Sequence, residues 1–138
     1  MSVYLDASVI VAMFTTDAHS ERAKRLPTDE LLIVSDLTAA EFASALAIHL
    51  RNGRATEEQV RAAYAQFDSW CALSPERVDI VPADLRVAEA WIRRLQHPLR
   101  APDAIHLAIT RRLRASLATF DEALGRAAAD FGIGLAPL

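Results

Sequence analysis

Hydrophobic and polar residues follow two alternating patterns along this chain. Short continuous apolar runs, such as Val3–Leu5 and Leu31–Val34, are typical of strands that are buried on both faces of a parallel sheet. Longer segments, such as Asp84–Leu95, repeat apolar residues every three to four positions, which predicts amphipathic helices. Because the two patterns alternate, we predict an α/β fold with right-handed crossovers and helices on both faces of the sheet.

Signals for the ends of helices divide the chain further. Thr56–Gln59 matches a capping box, Asn52-Gly53 is typical of a helix end, and Pro102 suits the first turn of a helix. The predicted strands are Val3–Leu5, Leu31–Val34, Val78–Val81, Leu117–Phe120 and a candidate edge strand at Ile133–Leu135. The predicted helices are Ser8–Phe14, Asp17–Arg25, one entered through Ser35-Asp36 and ending at Arg51, Thr56–Leu73, Asp84–Leu95, Pro102–Arg114 and Asp121–Asp130. The length of 138 residues suits a single domain over residues 1–138.

Four carboxylates occupy positions that such a topology brings together. Asp6 directly follows the first predicted strand, and Asp121 directly follows the fourth. Glu41 lies in the second turn of the helix after the second strand, and Asp103 lies in the first turn of its helix. The active site of a doubly wound sheet lies beyond the carboxyl ends of its strands, so all four acids can share one rim.

Clustered carboxylates require a chemical explanation. Two charges ~4 Å apart repel by about 4 kcal/mol at an effective dielectric of 20, so such a cluster is either partly protonated or bound to a cation. Oxygen ligands suit Mg²⁺ or Mn²⁺, which can hold a phosphodiester oxygen and lower the pKa of a bound water. Each acid alone has a structural alternative, as a strand end, a helix cap or a first-turn acid. Their joint placement favours a shared metal site.

The charge distribution marks a second candidate surface. The net charge is −3, which does not favour general nucleic-acid binding, yet residues 86–114 carry +5. Arg93, Arg94 and Arg100 precede Asp103 and are candidate contacts for RNA phosphates, with a solvated helix face as the alternative. His106 shares a helix face with Asp103 and is a candidate for a phosphate contact or proton transfer, with a packed or surface histidine as the alternative.

Composition excludes several classes of protein. The single cysteine, Cys71, cannot form an internal disulfide and makes a poor zinc site. No stretch approaches the roughly 18 apolar residues of a membrane helix, and the N-terminus lacks the features of a signal peptide, so we expect a cytoplasmic protein. Lys24 is the sole lysine, which argues against a phosphotransfer receiver or a haloacid-dehalogenase-like phosphatase.

Four segments together resemble a known family. They resemble the PIN-domain nucleases, and among these the VapC-type toxins of toxin–antitoxin pairs, in the order of their acids: the segments are Tyr4–Ser8, Glu41, Pro102–Ala108 and Thr119–Asp121. The resemblance covers nearly the whole chain. No single motif is specific, but the ordered set of acids, with a hydrophobic strand directly before the first and last aspartates, is fairly specific.

The resemblance implies a three-layer fold with a five-stranded parallel sheet, and a Mg²⁺- or Mn²⁺-dependent endoribonuclease. By position, the family's catalytic and metal-binding acids match Asp6, Glu41, Asp103 and Asp121, and its hydroxyl residues match Ser8 and Thr119. These hydroxyls are expected to hold the neighbouring carboxylates. The implied partners are an RNA substrate, a cognate antitoxin and a second copy of the chain, with no membrane.

Two alternatives stay open at this point. A catalytically inactive relative would bind metal or protein without cutting. A structure-specific DNA nuclease would use the same acids, because 2′-hydroxyl contacts rather than catalytic carboxylates distinguish RNA from DNA. The small size of the chain favours the toxin-like branch over the DNA nuclease.

Overall fold

A computed structural model describes residues 1–27 and 29–138 of the chain. Over these residues the chain forms four strands and seven helices. The strands are β1 (Ser2–Leu5), β2 (Leu31–Ser35), β3 (Glu76–Val78) and β4 (Ser116–Ala118). The helices are α1 (Ala7–Phe14), α2 (Ser20–Ala23), α3 (Asp36–Arg51), α4 (Glu57–Cys71), α5 (Pro82–Ile92), α6 (Ala101–Leu113) and α7 (Glu122–Asp130).

The strands form one parallel sheet in the order β3-β2-β1-β4. The chain first moves outward from β1 to β3 and then crosses to the other side of β1 to form β4. This change of direction creates a crevice beyond the carboxyl ends of β1 and β4, which is where open α/β sheets bind ligands. Leu5 pairs with Ala118, so Asp6 and residues 119–121 leave the sheet at the same level.

Helices pack on both faces of the sheet and enclose two apolar clusters. Because side chains alternate along a strand, Val3 and Leu5 point to one face and Tyr4 to the other. The first face packs against α1, α3 and α4 through residues such as Phe42. The second packs against α5, α6 and α7 through residues such as Leu107. The predicted three-layer α/β fold is therefore confirmed.

The sheet differs from the prediction at its two edges. Within the described residues it has four strands rather than five, because Leu135 forms only an isolated parallel bridge with Leu117. Two backbone hydrogen bonds form there, from Leu117 N to Gly134 O (2.8 Å) and from Ala136 N to Leu117 O (2.8 Å). The third strand, predicted at Val78–Val81, covers Glu76–Val78 instead, because its partner β2 ends at Ser35, opposite Val78, and continues directly into α3.

The second helix is also shorter than predicted. It covers Ser20–Ala23 instead of Asp17–Arg25, because Asp17 forms a turn in which its side chain accepts the N–H of His19 (2.6 Å). Local hydrogen bonds of this kind compete with helix formation. None of the helices in residues 1–27 and 29–138 is long and apolar enough to cross a membrane.

Candidate active site

Asp6 is the most firmly held carboxylate of the predicted set. It lies between β1 and α1, where its Oδ1 accepts hydrogen bonds from Ser8 N (2.8 Å), Ser8 Oγ (2.6 Å) and Val9 N (3.3 Å). Its Oδ2 accepts from Thr119 Oγ1 (2.6 Å). Asp6 is only 4% exposed, and this burial raises the pKa of its carboxyl group, while the hydrogen bonds from Ser8 and Thr119 act in the opposite direction.

The two hydroxyl residues connect Asp6 to the chain that follows β4. Ser8 Oγ donates to Asp6 and accepts from the backbone N–H of Phe120 (2.9 Å). Thr119 Oγ1 donates to Asp6 and accepts from the backbone N–H of Asp121 (3.0 Å). Each hydroxyl uses its proton on the carboxylate and a lone pair on the neighbouring backbone. Together they fix the position of Asp6 relative to Asp121.

Asp121 begins α7 and lies across the crevice from α3. Its Oδ1 accepts from the backbone N–H groups of Ala123 (2.8 Å) and Leu124 (3.0 Å). Asp121 is therefore the N-cap of α7, a position at which aspartate is favoured. Asp6, Glu41 and Asp121 line the same open cleft, which has a volume of about 470 Å³. The structure thus brings three of the four predicted acids to one cleft.

Asp103 is placed differently from the other three acids. It is the third residue of α6, and its Oδ2 accepts from Arg100 N (3.0 Å) and Arg100 Nε (3.4 Å). Its side chain is 17% exposed, and Arg100 rather than Asp103 lines the cleft. In this conformation the carboxylate of Asp103 is therefore engaged as a helix cap beside the cleft.

The carboxylate oxygens at the cleft suit a divalent cation, although they are not arranged as a complete metal site. Within residues 1–27 and 29–138, no three His, Cys, Asp or Glu side chains are arranged so that they could hold a metal ion. The cleft nevertheless offers hard carboxylate oxygens, which match Mg²⁺ or Mn²⁺. The buried Asp6 carboxyl is a second point of fit, because a bound cation would favour its ionised form against the effect of burial.

His106 lies inside the protein rather than on a surface that RNA could reach. It is 2% exposed, its Nδ1 lies 2.7 Å from Tyr4 Oη, and its Nε2 lies 2.6 Å from Glu41 Oε2. Both ring nitrogens are thus used within the fold. This placement argues against the phosphate contact considered for His106 and connects the residue to Glu41 instead.

The arginines of the predicted phosphate-binding group separate in the structure. Arg100 lines the acidic cleft, and its side chain is 79% exposed. Arg93 ends α5, pairs with Glu89 (2.9 Å) and borders a separate apolar depression. Arg94 is exposed on the turn that follows. Arg100 is therefore the member of the group that the structure places at the carboxylates.

Two further features in and behind the cleft were missed from the sequence. Asp17 and His19 line it from the segment before α2, and the His19 ring stacks on Phe120 at 4.4 Å between centroids. Tyr4 contributes the hydroxyl that meets His106. Tyr4 did carry a usable signal, because a tyrosine inside a doubly buried strand requires a hydrogen-bond partner. His19 carried none, since its partner lies about a hundred positions further along the chain.

Comparison with known proteins identifies the family. Residues 3–130 match the PIN domain, so the chain belongs to the PIN-domain family. It is 30% identical to Ribonuclease VapC46 of Mycobacterium tuberculosis, over 97% of this chain and 95% of that protein.

Two solved structures share the fold. VapC20 of Mycobacterium tuberculosis, described as a sarcin–ricin loop cleaving toxin, superposes with a TM-score of 0.75 at 20% identity, over 99% of both chains. VapBC2 of Rickettsia felis, bound to a promoter DNA fragment, gives a TM-score of 0.69 at 13% identity, over 99% of this chain and 98% of that chain. The predicted resemblance to PIN domains and VapC-type proteins is confirmed.

Proposed function

We propose that this protein is a metal-dependent endoribonuclease and the toxin of a toxin–antitoxin pair. The observation that carries the proposal is the acidic cleft at the crevice between β1 and β4, where Asp6 is buried and held by Ser8 and Thr119. Similarity to a ribonuclease over nearly the whole chain supports RNA as the substrate. Asp6, Glu41, Asp103 and Asp121 are the proposed catalytic acids.

The same acids would hold Mg²⁺ or Mn²⁺. When bound there, the cation supplies a positive charge that stabilises the negative charge developing on the phosphodiester oxygens. Ser8 and Thr119 keep Asp6 oriented toward the cleft. Glu41 orients the attacking water, because one carboxylate oxygen is held by His106 and the other stays available as an acceptor. Asp103 joins the site when its side chain leaves Arg100.

RNA binding in this proposal depends on the arginines. Arg100 is exposed at the cleft and would hold a phosphate next to the scissile bond. Arg93 and Arg94 are exposed in the segment before it and would extend the contact along the RNA backbone. Such contacts give affinity without reading the base sequence.

The partners proposed for this chain follow from the same similarity. We propose a cognate antitoxin, a homodimer and a cytoplasmic location, as expected for a VapC-type toxin. Co-expression with the product of the adjacent gene, followed by size-exclusion chromatography, would test for the antitoxin and for the dimer.

The test of the activity compares purified wild type with Asp103→Asn on total cellular RNA in the presence of Mg²⁺, Mn²⁺ or EDTA. We expect discrete new RNA ends that require the metal and disappear in the variant. Asp68→Asn is the matched control, because Asp68 is exposed on α4 and does not line the cleft. A folded wild type that cuts nothing with either metal, or an Asp103→Asn protein that cuts equally well, would contradict the proposal. A parallel reaction on DNA tests the alternative substrate.

A further inference from the structure

A chain of buried polar side chains leads from the core of the sheet to Glu41. It begins at Ser35, whose Oγ lies 2.6 Å from Tyr4 Oη, and continues from Tyr4 Oη to His106 Nδ1 (2.7 Å). It ends at Glu41, whose Oε2 lies 2.6 Å from His106 Nε2. Ser35, Tyr4 and His106 are all buried, so the chain is shielded from solvent until it reaches Glu41.

The direction of these hydrogen bonds follows from the chemistry of the groups. An ionised carboxylate only accepts, so His106 Nε2 must carry the proton that Glu41 receives. In a neutral ring Nδ1 is then an acceptor, and Tyr4 donates to it. Ser35 in turn donates to Tyr4 Oη. For a neutral ring and an ionised Glu41, one orientation satisfies every member, running from Ser35 through Tyr4 and His106 to Glu41.

Neighbouring groups hold this chain in place. Thr38 N donates to Ser35 Oγ (3.1 Å), and Thr38 Oγ1 donates to the carbonyl of Leu5 (3.0 Å). Within the described residues every buried polar side-chain atom has a hydrogen-bond partner. The imidazole is thus fixed from its inner side, with Nε2 facing Glu41.

We propose that Ser35, Tyr4 and His106 form a positioning relay that holds the Glu41 carboxylate in the orientation needed for RNA cleavage. The role rests on the function proposed above. Glu41 reaches the cleft from α3 on a flexible side chain that is 30% exposed, so alone it would sample several rotamers. His106 contacts Glu41 rather than the substrate, which makes it a positioning residue and not a catalytic one.

Two substitutions of His106 separate this role from simple packing. In His106→Gln the amide nitrogen replaces Nε2 and still donates to Glu41, whereas in His106→Asn the side chain reaches only the Nδ1 position. We expect His106→Asn to lower kcat about tenfold or more, equivalent to losing one hydrogen bond to a charged group, with little change in KM. His106→Gln should retain most of the activity. Equal losses in both variants would overturn the proposal.

A substitution of Tyr4 tests the inner half of the relay. Tyr4→Phe removes only the hydroxyl that fixes His106 and should lower kcat by about threefold to tenfold. Tyr64→Phe is the matched control, because the Tyr64 hydroxyl donates to the carbonyl of Ala43 (2.7 Å) outside the relay. It should leave kcat unchanged. A Tyr4→Phe protein with wild-type kcat would contradict the relay.

A spectroscopic measurement separates this proposal from the proposed function. Nitrogen-15 NMR of histidine-labelled wild type, without metal or RNA, should show a proton on Nε2 of His106 at mildly alkaline pH. A bare Nε2 would overturn the relay whether or not the protein cuts RNA. If Nε2 is protonated but wild type cuts no RNA, the hydrogen-bond chain stands, and its role in cleavage falls with the proposed function.

Discussion

Replacing Asp6 with asparagine should stabilise the metal-free protein at neutral pH while abolishing cleavage. The Asp6 carboxylate is 4% exposed, and desolvation of a buried carboxylate costs several kcal/mol. An asparagine keeps an oxygen for the donors at Ser8 and Val9, and the Thr119 hydroxyl can turn to accept from its amide. Each of the four hydrogen bonds weakens by roughly 1 kcal/mol when the charge is lost.

Whether the lost desolvation cost outweighs the weakened hydrogen bonds follows from the pKa of Asp6, which burial raises above the ordinary value of 3.8. The neutral form is therefore the better fit to the folded protein. We expect Asp6→Asn to be more stable than wild type by about 1–2 kcal/mol, or roughly 3–8 °C in Tm for a domain of this size.

The pH dependence provides the sharper assay. Folding raises the pKa of the Asp6 carboxyl group, so this group stabilises the wild type fully at pH values below its pKa of 3.8 in the unfolded chain. The wild type loses this stabilisation as the pH rises through the pKa of Asp6 in the folded protein. The two proteins should therefore differ least in acid and most at neutral pH. Thermal unfolding in EDTA across this range measures the difference. A wild type that is at least as stable as Asp6→Asn at neutral pH would refute the reasoning.

Two further substitutions test contacts that hold the fold and the cleft. Thr119→Val removes the hydroxyl that donates to Asp6, and it should lower the free energy of unfolding by about 1.5–3 kcal/mol in urea titrations. A loss below about 0.5 kcal/mol would contradict this role. Arg112→Met leaves Asp84, which is 2% exposed, without its ion-pair partner and should cost about 3 kcal/mol. The exposed Arg61→Met is its control and should cost less than about 1 kcal/mol, so equal losses would contradict the argument.

The sequence was most informative where local pattern and topology act together. A continuous apolar run directly before Asp6, and another before Asp121, is enough to place both residues beyond the carboxyl ends of parallel strands. Glu41 could be assigned to the same edge because its helix follows β2 without an intervening loop. The layer architecture and the acidic edge were accordingly predictable.

Partners from distant segments could not be predicted in the same way. His106 was grouped with Asp103, three residues earlier, because the two share a helix face. In the structure its nitrogens meet Tyr4, from β1, and Glu41, from α3. These contacts depend on how α3 and α6 pack around the sheet. The outer strands were misjudged for a related reason, since the length of each pairing depends on its partner strand, and β2 ends opposite Val78 while Leu135 forms only a bridge with Leu117.

The most direct test of the account is calorimetric titration of Mn²⁺ into the metal-free protein, because every step of the proposed reaction depends on a cation in the acidic cleft. The account predicts saturable binding by wild type and by the control Asp68→Asn, and a loss of affinity of more than about tenfold in Asp6→Asn. Thermal unfolding of the same samples confirms that the variants are folded. Absence of Mn²⁺ binding by wild type, or equal affinity in Asp6→Asn, would contradict the account.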